Sequence, residues 1–208
     1  MADSYLTLAA DYDWLFGDDV LTGGEAISSP AAARLLQRTG RGSAVLDASC
    51  GTGINAEVLA RRGFDVVLCV GNSLVHAAGR DAMVAALTGL RRMTRPGGHV
   101  VIDSRNWEKL NAERRIVRVA NRVITRDGRR CVSFYAWEIP ERLQDEHVAH
   151  IVFVFENGEE TETHEYPISF RPFTVAELRE RLELAGLREV DTDFDASADR
   201  YAVVAVAS

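Results

Sequence analysis

A short apolar run that ends in a glycine-rich turn is the feature that most restricts the fold of this 208-residue chain. Residues 44–47 form the apolar run, and residues 48–53 form the turn. A helix is predicted to follow at once, over Ile54–Arg62, and to end at Gly63. A buried strand, a glycine turn and a helix in succession are typical of an α/β sheet. The chain is therefore predicted to belong to the α/β class.

Two later segments repeat this alternation. Val66–Val70 is apolar on both alternating faces, as expected of an interior parallel strand that helices cover on each side. Asp81–Met93 places apolar residues at helical spacing, and a Pro-Gly-Gly turn then leads into the predicted strand His99–Asp103. Right-handed crossovers join such units, so these segments predict a parallel sheet.

Between Arg114 and Phe170 the pattern changes to the period-two alternation of antiparallel strands. Asp-Gly at 127–128 and Asn-Gly at 157–158 are the turn pairs that tight hairpins prefer. The predicted strands are Ile116–Thr125, Cys131–Glu138, Val148–Phe155 and Thr161–Ile168. We therefore predict a core domain of residues 1–113 and 171–208, interrupted by an antiparallel β insert of residues 114–170.

The core pattern returns after the insert. Thr174 and Glu177 have the spacing of a capping box, which predicts a helix that runs to Ala185 and stops at Gly186. Two strands, Arg188–Phe194 and Arg200–Ala207, are predicted to complete the core domain.

Charge and cysteine content exclude several classes of protein. The 24 basic and 31 acidic residues give a net charge of −7, the wrong sign for binding nucleic acid or an anionic membrane. The first five residues hold no basic or apolar region, and no apolar stretch approaches about 18 residues, so neither export nor a membrane-spanning segment is expected. Its three cysteines are widely spaced, which favours neither a disulfide framework nor a zinc ribbon. We expect a cytoplasmic protein with small-molecule partners.

His147 and His150 do not change the expectation that there is no metal site. They lie in predicted strand, where residues three apart point to opposite faces.

The glycine turn alone leaves its ligand open. Its glycines would let a ligand approach the backbone, but a tight connection between strand and helix would also need them. A phosphate-binding P-loop is excluded because no Gly-Lys-Ser/Thr follows. A dinucleotide site would need a third glycine that the turn lacks.

Three ordered motifs resemble one family. The run LDASCGTG at 46–53 resembles the nucleoside-binding motif of class I S-adenosylmethionine-dependent methyltransferases. CVGNSLVHA at 69–77 and MTRPGGHVVIDSRNW at 93–107 are similar to segments of glycine N-methyltransferase and related small-molecule N-methyltransferases. The resemblance implies a Rossmann-like class I methyltransferase sheet that carries the antiparallel β insert. It also implies S-adenosylmethionine as the cofactor and S-adenosylhomocysteine as its product.

The resemblance assigns cofactor contacts to the carboxyl ends of neighbouring strands, where open α/β sheets bind ligands. An aromatic N-terminal segment would fold over the cofactor, although packing of an N-terminal arm would explain the same aromatic residues. The cofactor-binding residues implied are Tyr12, Trp14, Asp47, Ala48, Cys50, Gly51, Gly53, Val70 and Asn72.

The resemblance also assigns the substrate site. Asn72 and Arg105 correspond to positions that hold a carboxylated amine, and Arg105 would clamp the carboxylate with two parallel hydrogen bonds. The alternatives are that Asn72 only caps a turn and that Arg105 pairs with a nearby acid. His76 could contact the substrate or accept a proton. The reaction would be an in-line displacement in which the protein supplies positioning and a dry site.

One departure from the family is large. Class I methyltransferases place a second strand, which ends in a ribose-binding acid, about twenty residues after the glycine loop, and a helix and a third strand follow. Only 17 residues separate Gly53 from Gly71 here, so the sheet is predicted to lack the second and third strands. Three explanations are open: the sequence omits a stretch of the protein, the protein is engineered or mis-spliced, or it is a natural degenerate relative. A true deletion would predict weak or absent cofactor binding.

The leading hypothesis is transfer of a methyl group to the amine of a small carboxylated metabolite such as glycine or sarcosine. The insert would form a wall of the substrate site. Whether it also forms the contact of a homo-oligomer is left open. One alternative is an N- or O-methyltransferase for a natural product or an amino sugar, since one fold serves many acceptors. The other is a non-catalytic, methyltransferase-like protein.

Overall fold

Two five-stranded sheets organise the residues that the computed structural model describes, which are 7–15, 44–47, 65–119 and 123–207. The first sheet is mixed and has the strand order β1-β2-β3-β10-β9. Its strands are β1 (Val45–Asp47), β2 (Val66–Cys69), β3 (His99–Arg105), β9 (Leu187–Thr192) and β10 (Arg200–Ala207). The helices around it are α1 (Arg80–Met93), α2 (Trp107–Glu113) and α3 (Val175–Leu184).

The predicted parallel pairing is confirmed for β1, β2 and β3. Strand β10 instead runs antiparallel to both β3 and β9, a direction that the apolar pattern of residues 200–207 does not encode. The α/β fold class is confirmed. Within the described residues β1 pairs only with β2 and is the end strand, so no second or third strand of the family is seen beside it.

Buried apolar side chains on both faces explain why the central strands occupy the middle of the sheet. In β2, Val67 and Cys69 join the main hydrophobic cluster, whereas Val66 and Leu68 are buried on the other face. Helix α1 buries one face against this sheet. Helix α3 begins with the predicted capping box, in which Thr174 Oγ1 accepts a hydrogen bond from the amide of Glu177.

The second sheet is antiparallel and holds the residues predicted to form the insert. Its strands are β4 (Val117–Val119), β5 (Ile124–Arg126), β6 (Arg129–Glu138), β7 (His147–Asn157) and β8 (Glu160–Phe170). Strands β4, β6, β7 and β8 are neighbours in that order, and β5 also pairs with β6. The prediction of one strand over Ile116–Thr125 is wrong in detail, because two short strands pair with different parts of β6.

The sequence pattern did not predict helix α2. The side chain of Asn106 caps it by accepting a hydrogen bond from the amide of Lys109, and Trp107 at its first position is 1% exposed. Burial of this large ring anchors the short helix against the second sheet.

An aromatic joint, which we define as Trp107, Trp137, His147 and Phe170, connects the two sheets. The ring of Trp107 lies 5.8 Å from that of Trp137, 5.4 Å from that of Phe170 and 5.9 Å from that of His147, measured between centroids. All four side chains are buried. Residues of both sheets share one hydrophobic cluster, so the aromatic joint is part of a continuous core.

Burial along β7 agrees with the predicted opposite facing of its two histidines. His147 is fully buried, whereas His150 lies on the more exposed face.

Among the described helices, none has the length and apolar character needed to cross a membrane.

Candidate functional site

The carboxyl ends of β1, β2 and β3 lie side by side, and this edge is the candidate site. The register places Asp47 opposite Leu68, so the end of β1 is adjacent to the segment that carries Val70. The carbonyl of Val70 accepts a hydrogen bond of 2.6 Å from Ser73 Oγ. Gly71 and Asn72 then both have left-handed backbone, with φ of 77° and 63°. These two residues turn the chain sharply at the strand end.

Asn72 connects β2 to β3. Its backbone amide donates to Asp103 Oδ1 at 2.9 Å, and its Oδ1 accepts from the amide of Arg105 at 3.0 Å. The side chain is 7% exposed, so these hydrogen bonds form away from bulk water. Asn72 therefore acts as a turn residue in this structure. Through these hydrogen bonds it fixes the backbone that carries Arg105.

Arg105 points from the end of β3 toward aromatic rings of the second sheet. Its guanidinium carbon lies 5.3 Å from the ring centroid of Trp137 and 6.0 Å from that of Tyr135. The two rings are stacked, with 13° between their planes. A guanidinium beside aromatic faces gains cation–π attraction and remains free to form planar hydrogen bonds.

The acids near Arg105 are already paired with other cations. Asp103 accepts from the guanidinium of Arg200, and Asp199 lies 2.8 Å from Lys109 Nζ. Arg118 contacts Asp199 as well, at 3.3 Å. Arg105 itself forms no ion pair with a described residue, and its buried Nε has no hydrogen-bond partner among them. The alternative that Arg105 pairs with a nearby acid finds no support within that part of the chain.

Burial lowers the pKa of Arg105 to about 10, and the neighbouring Arg200 contributes to the shift. Arg200 is the direct cross-strand partner of Arg105, which explains their repulsion. The guanidinium is still charged at neutral pH. A buried, charged group without a protein partner is costly, and an anionic ligand would relieve that cost.

Tyr12 lies close to this cationic region. Burial raises the pKa of its phenol, and Tyr135, Arg200 and Asp103 are near enough to act on it electrostatically. Burial also raises the pKa of the Tyr135 phenol. Both hydroxyls therefore stay protonated at neutral pH and can donate hydrogen bonds.

Trp14 lies against the second sheet. Its ring meets that of Phe155 edge to face at 5.2 Å, and Arg126 lies 4.9 Å above it. These contacts favour packing of an N-terminal arm as the role of Trp14, and its cofactor contact remains a prediction.

His76 lies in the 3₁₀ helix Ser73–His76 and faces β8. Its Nδ1–H donates to the carbonyl of Ser169 at 3.0 Å, and its ring packs on Phe170 at 4.8 Å. Burial lowers the pKa of His76, which favours the neutral ring. These contacts connect the first sheet to the second, and contact with substrate remains a prediction.

The glycine turn cannot be placed in this site. Ala48, Cys50, Gly51 and Gly53 lie outside the described residues, and of Asp47 only the backbone is described. Their predicted cofactor contacts remain predictions.

Tyr135, Trp137 and Arg200 are site residues that the sequence analysis missed. Tyr135 and Trp137 stand two apart in a period-two strand and so share a face, which was the available signal. No pattern in the sequence of this strand indicates that the shared face contacts Arg105. Within the described ranges, no cluster of three or more histidine, cysteine or acidic side chains could hold a metal ion.

Several solved structures that superpose on this chain are described as methyltransferases. The S-adenosylmethionine-dependent methyltransferase from Clostridium acetobutylicum ATCC 824 superposes with a TM-score of 0.70 at 13% identity, over 98% of this chain and 99% of that chain. The CcbJ methyltransferase from Streptomyces caelestis gives 0.67 at 20% identity, over 89% and 98%. CalS10 from Micromonospora echinaspora, an amino pentose methyltransferase bound to S-adenosylmethionine, gives 0.65 at 16% identity, over 100% and 93%. The chain has the fold of class I S-adenosylmethionine-dependent methyltransferases.

Comparison of the sequence with known proteins gives a match over a shorter part of the chain. Glycine N-methyltransferases from Mus musculus and Rattus norvegicus are each 39% identical over 59 residues, which is 26% of this chain. The match covers 20% of the length of each of these relatives. No protein-family model matches the sequence.

Proposed function

We propose that this protein binds S-adenosylmethionine and transfers its methyl group to the amine of a small carboxylated metabolite of the glycine or sarcosine type. The observation that carries the proposal is Arg105, a partly buried guanidinium with a buried Nε at the carboxyl edge of the sheet, without a described acid partner. The match to glycine N-methyltransferases supports it. Because this match covers a fifth of those relatives, the activity is inferred from the site and the fold together.

The carboxyl edge fits the amino-acid half of the cofactor. The Val70 carbonyl can accept from an ammonium group, and Asn72 makes its side-chain hydrogen bonds to β3 through Oδ1 rather than through its N–H groups. The adenosine half would depend on residues 48–64, beyond the described end of β1. When bound, S-adenosylmethionine supplies an electrophilic methyl group on a sulfonium centre.

The residues around Arg105 would hold and orient the acceptor. Arg105 would bind the carboxylate through two hydrogen bonds, and the stacked rings of Tyr135 and Trp137 would exclude water from one side. Both oxygens of Asp103 already accept hydrogen bonds, one from the Asn72 amide and one from Arg200. The acceptor ammonium would lose its proton to solvent before the transfer, which makes the lone pair of the amine available.

A sugar-amine acceptor is the second candidate, because CalS10, described as an amino pentose methyltransferase, shares the fold. A sugar amine carries no carboxylate and would not need Arg105. A non-catalytic protein is the third, since β1 is the end strand of the described sheet. It would retain the edge around Arg105 without binding the cofactor.

Calorimetric titration with S-adenosylhomocysteine separates the enzyme from the non-catalytic protein. The proposal expects a dissociation constant in the micromolar range for the wild-type chain. Absence of binding, on a sample whose intact mass agrees with 22.9 kDa, would overturn the proposal in favour of the non-catalytic candidate.

Replacing Arg105 tests the acceptor. R105A should raise the KM for a carboxylated amine about 10- to 100-fold, because hydrogen bonds to a charged group are lost, and should leave S-adenosylhomocysteine affinity nearly unchanged. R118A is the matched control, since Arg118 is a neighbouring cation already paired with Glu113 and Asp199. An equal loss of cofactor affinity in R105A would contradict the assigned role, and an unchanged KM for a sugar amine would favour that acceptor.

A further inference from the structure

The N-terminal segment Thr7–Leu15 meets the second sheet through a charged cluster separate from the Arg105 site. Asp11, which is 6% exposed, places its Oδ2 2.5 Å from His164 Nδ1 and 2.7 Å from the hydroxyl of Tyr166. On the other side of the imidazole, His164 Nε2 lies 2.7 Å from Glu162 Oε1. His164 thus bridges a carboxylate of the N-terminal segment and a carboxylate of β8.

The bridge requires a charged imidazole. Ionised carboxylates only accept hydrogen bonds, so both ring nitrogens of His164 must donate. Both nitrogens donate only in the protonated ring. Hydrogen bonds to Asp11 and Glu162 correspondingly raise the pKa of His164 above its usual range.

We propose that His164, protonated between Asp11 and Glu162, is a positioning residue that keeps the segment Thr7–Leu15, and with it Tyr12, docked on the second sheet. Asp11 and Tyr12 are adjacent, and Tyr12 lies near Tyr135 and Arg200 at the candidate site. The relevance of this docking to methyl transfer rests on the proposed function. The docking itself can be measured without any ligand.

His164 is the group in this cluster whose charge is expected to change as pH rises above 6.5, because its pKa is raised above that ordinary value. Burial raises the pKa of Tyr166 to about 12 and that of Cys131 to about 11, and His164 holds the pKa of Glu162 below its usual range. Arginine side chains stay charged throughout. The charged and titratable groups that face His164 are Asp11 of the N-terminal segment, Glu162 and Tyr166 of β8, Arg129 and Cys131 of β6, and Arg126 of β5.

The sign of the pH dependence follows from the raised pKa. The bridge contributes fully below about pH 6.5, the ordinary value for histidine, and is lost as pH rises through the folded pKa of His164. Docking of the segment should therefore weaken toward alkaline pH. Other contacts that do not depend on His164 remain: the edge-to-face packing of Trp14 on Phe155, the Arg126 cation above Trp14, and the hydrogen bond from Arg126 to the Asp13 carbonyl.

Amide hydrogen exchange of the ligand-free protein tests this. The amides of Asp11 and Trp14 donate to backbone carbonyls within the segment and report its docking. Corrected for intrinsic rates, their protection in wild-type protein should fall about three- to tenfold between pH 6 and pH 9. H164Q should show the lower protection at both pH values, and H164K, which keeps a cation, should retain the higher protection at pH 9.

His150 provides the matched control. It too bridges two carboxylates, Glu138 and Glu165, which raise its pKa, and both of these partners belong to the second sheet rather than to the segment Thr7–Leu15. H150Q should keep the wild-type pH profile at Asp11 and Trp14. A flat wild-type profile, or an H164Q profile that still falls with pH, would overturn the proposal. Because no cofactor or acceptor is present, neither result depends on the proposed function.

Discussion

The two sheets differ in where they keep their polar groups. In the first sheet, the central strand β2 buries all four of its residues, and the polar residue Asn72 comes after the strand end. In the second sheet, burial alternates along much of β7. His147 lies on the buried face, and His150 lies on the more exposed face. The first sheet therefore supplies backbone ends that fix geometry. The second supplies a face of side chains that can change without disturbing the strands.

The candidate site needs both contributions. Arg105 comes from the end of a first-sheet strand, and the rings beside it come from β6 of the second sheet. Specificity should thus be altered most easily in the second sheet, and the geometry of the site should be disturbed most easily at the first-sheet strand ends or at the aromatic joint.

The largest effect is expected at the aromatic joint. W107A removes a ring that is 1% exposed and contacts Trp137, Phe170 and His147, so it should lower the free energy of unfolding by about 3–5 kcal/mol. Urea denaturation followed by circular dichroism measures this, with W107F as the milder control. A loss below about 1 kcal/mol would show that the two sheets do not depend on this contact.

An intermediate effect is expected at the connection between β2 and β3. N72A loses the hydrogen bond to the Arg105 amide and leaves alanine in left-handed backbone, so it should cost about 2–3 kcal/mol. N72G keeps the backbone conformation and loses only the side chain, so it should cost less. Thermal unfolding compares the two variants. Equal losses would mean that the backbone conformation contributes nothing measurable.

The smallest effect is expected from His76, which joins the sheets through Ser169. Its lowered folded pKa means that the unfolded chain takes up a proton first as pH falls below about 6.5, so acidification destabilises the folded protein. H76Q should reduce the stability difference between pH 5.5 and pH 7.5, by under about 1 kcal/mol. Urea midpoints at the two pH values measure it. His99 and His147, whose pKa values are lowered as well, remain in both proteins, and an unchanged difference would show that His76 does not carry the acid sensitivity.

Local signals explain what could be predicted from the sequence. Thr174 and Glu177 form the expected capping box because both partners lie within one helical turn. The Asn-Gly pair at 157–158 joins β7 to β8 for the same local reason. The first three core strands followed from apolar runs, although the strand direction of β10 did not.

Distance along the chain explains what could not be predicted. Asp103 and Arg200 are 97 residues apart, and Asp11 and His164 are 153 apart. No periodic pattern encodes such pairs. Arg105 was identified from its motif. The acids near it are paired with Arg200 and Lys109, and only the tertiary structure brings these ion pairs together.

The position of β10 has a consequence for the order of folding. This strand lies between β3 and β9, so residues 200–207 must be synthesised before all strands of the first sheet can pair. Until then β3 presents an unpaired edge while the whole second sheet is synthesised. Contacts of such long sequence separation form slowly, and an open strand edge invites pairing with other chains. During synthesis the half-built sheet is therefore a species that chaperones would be expected to shield.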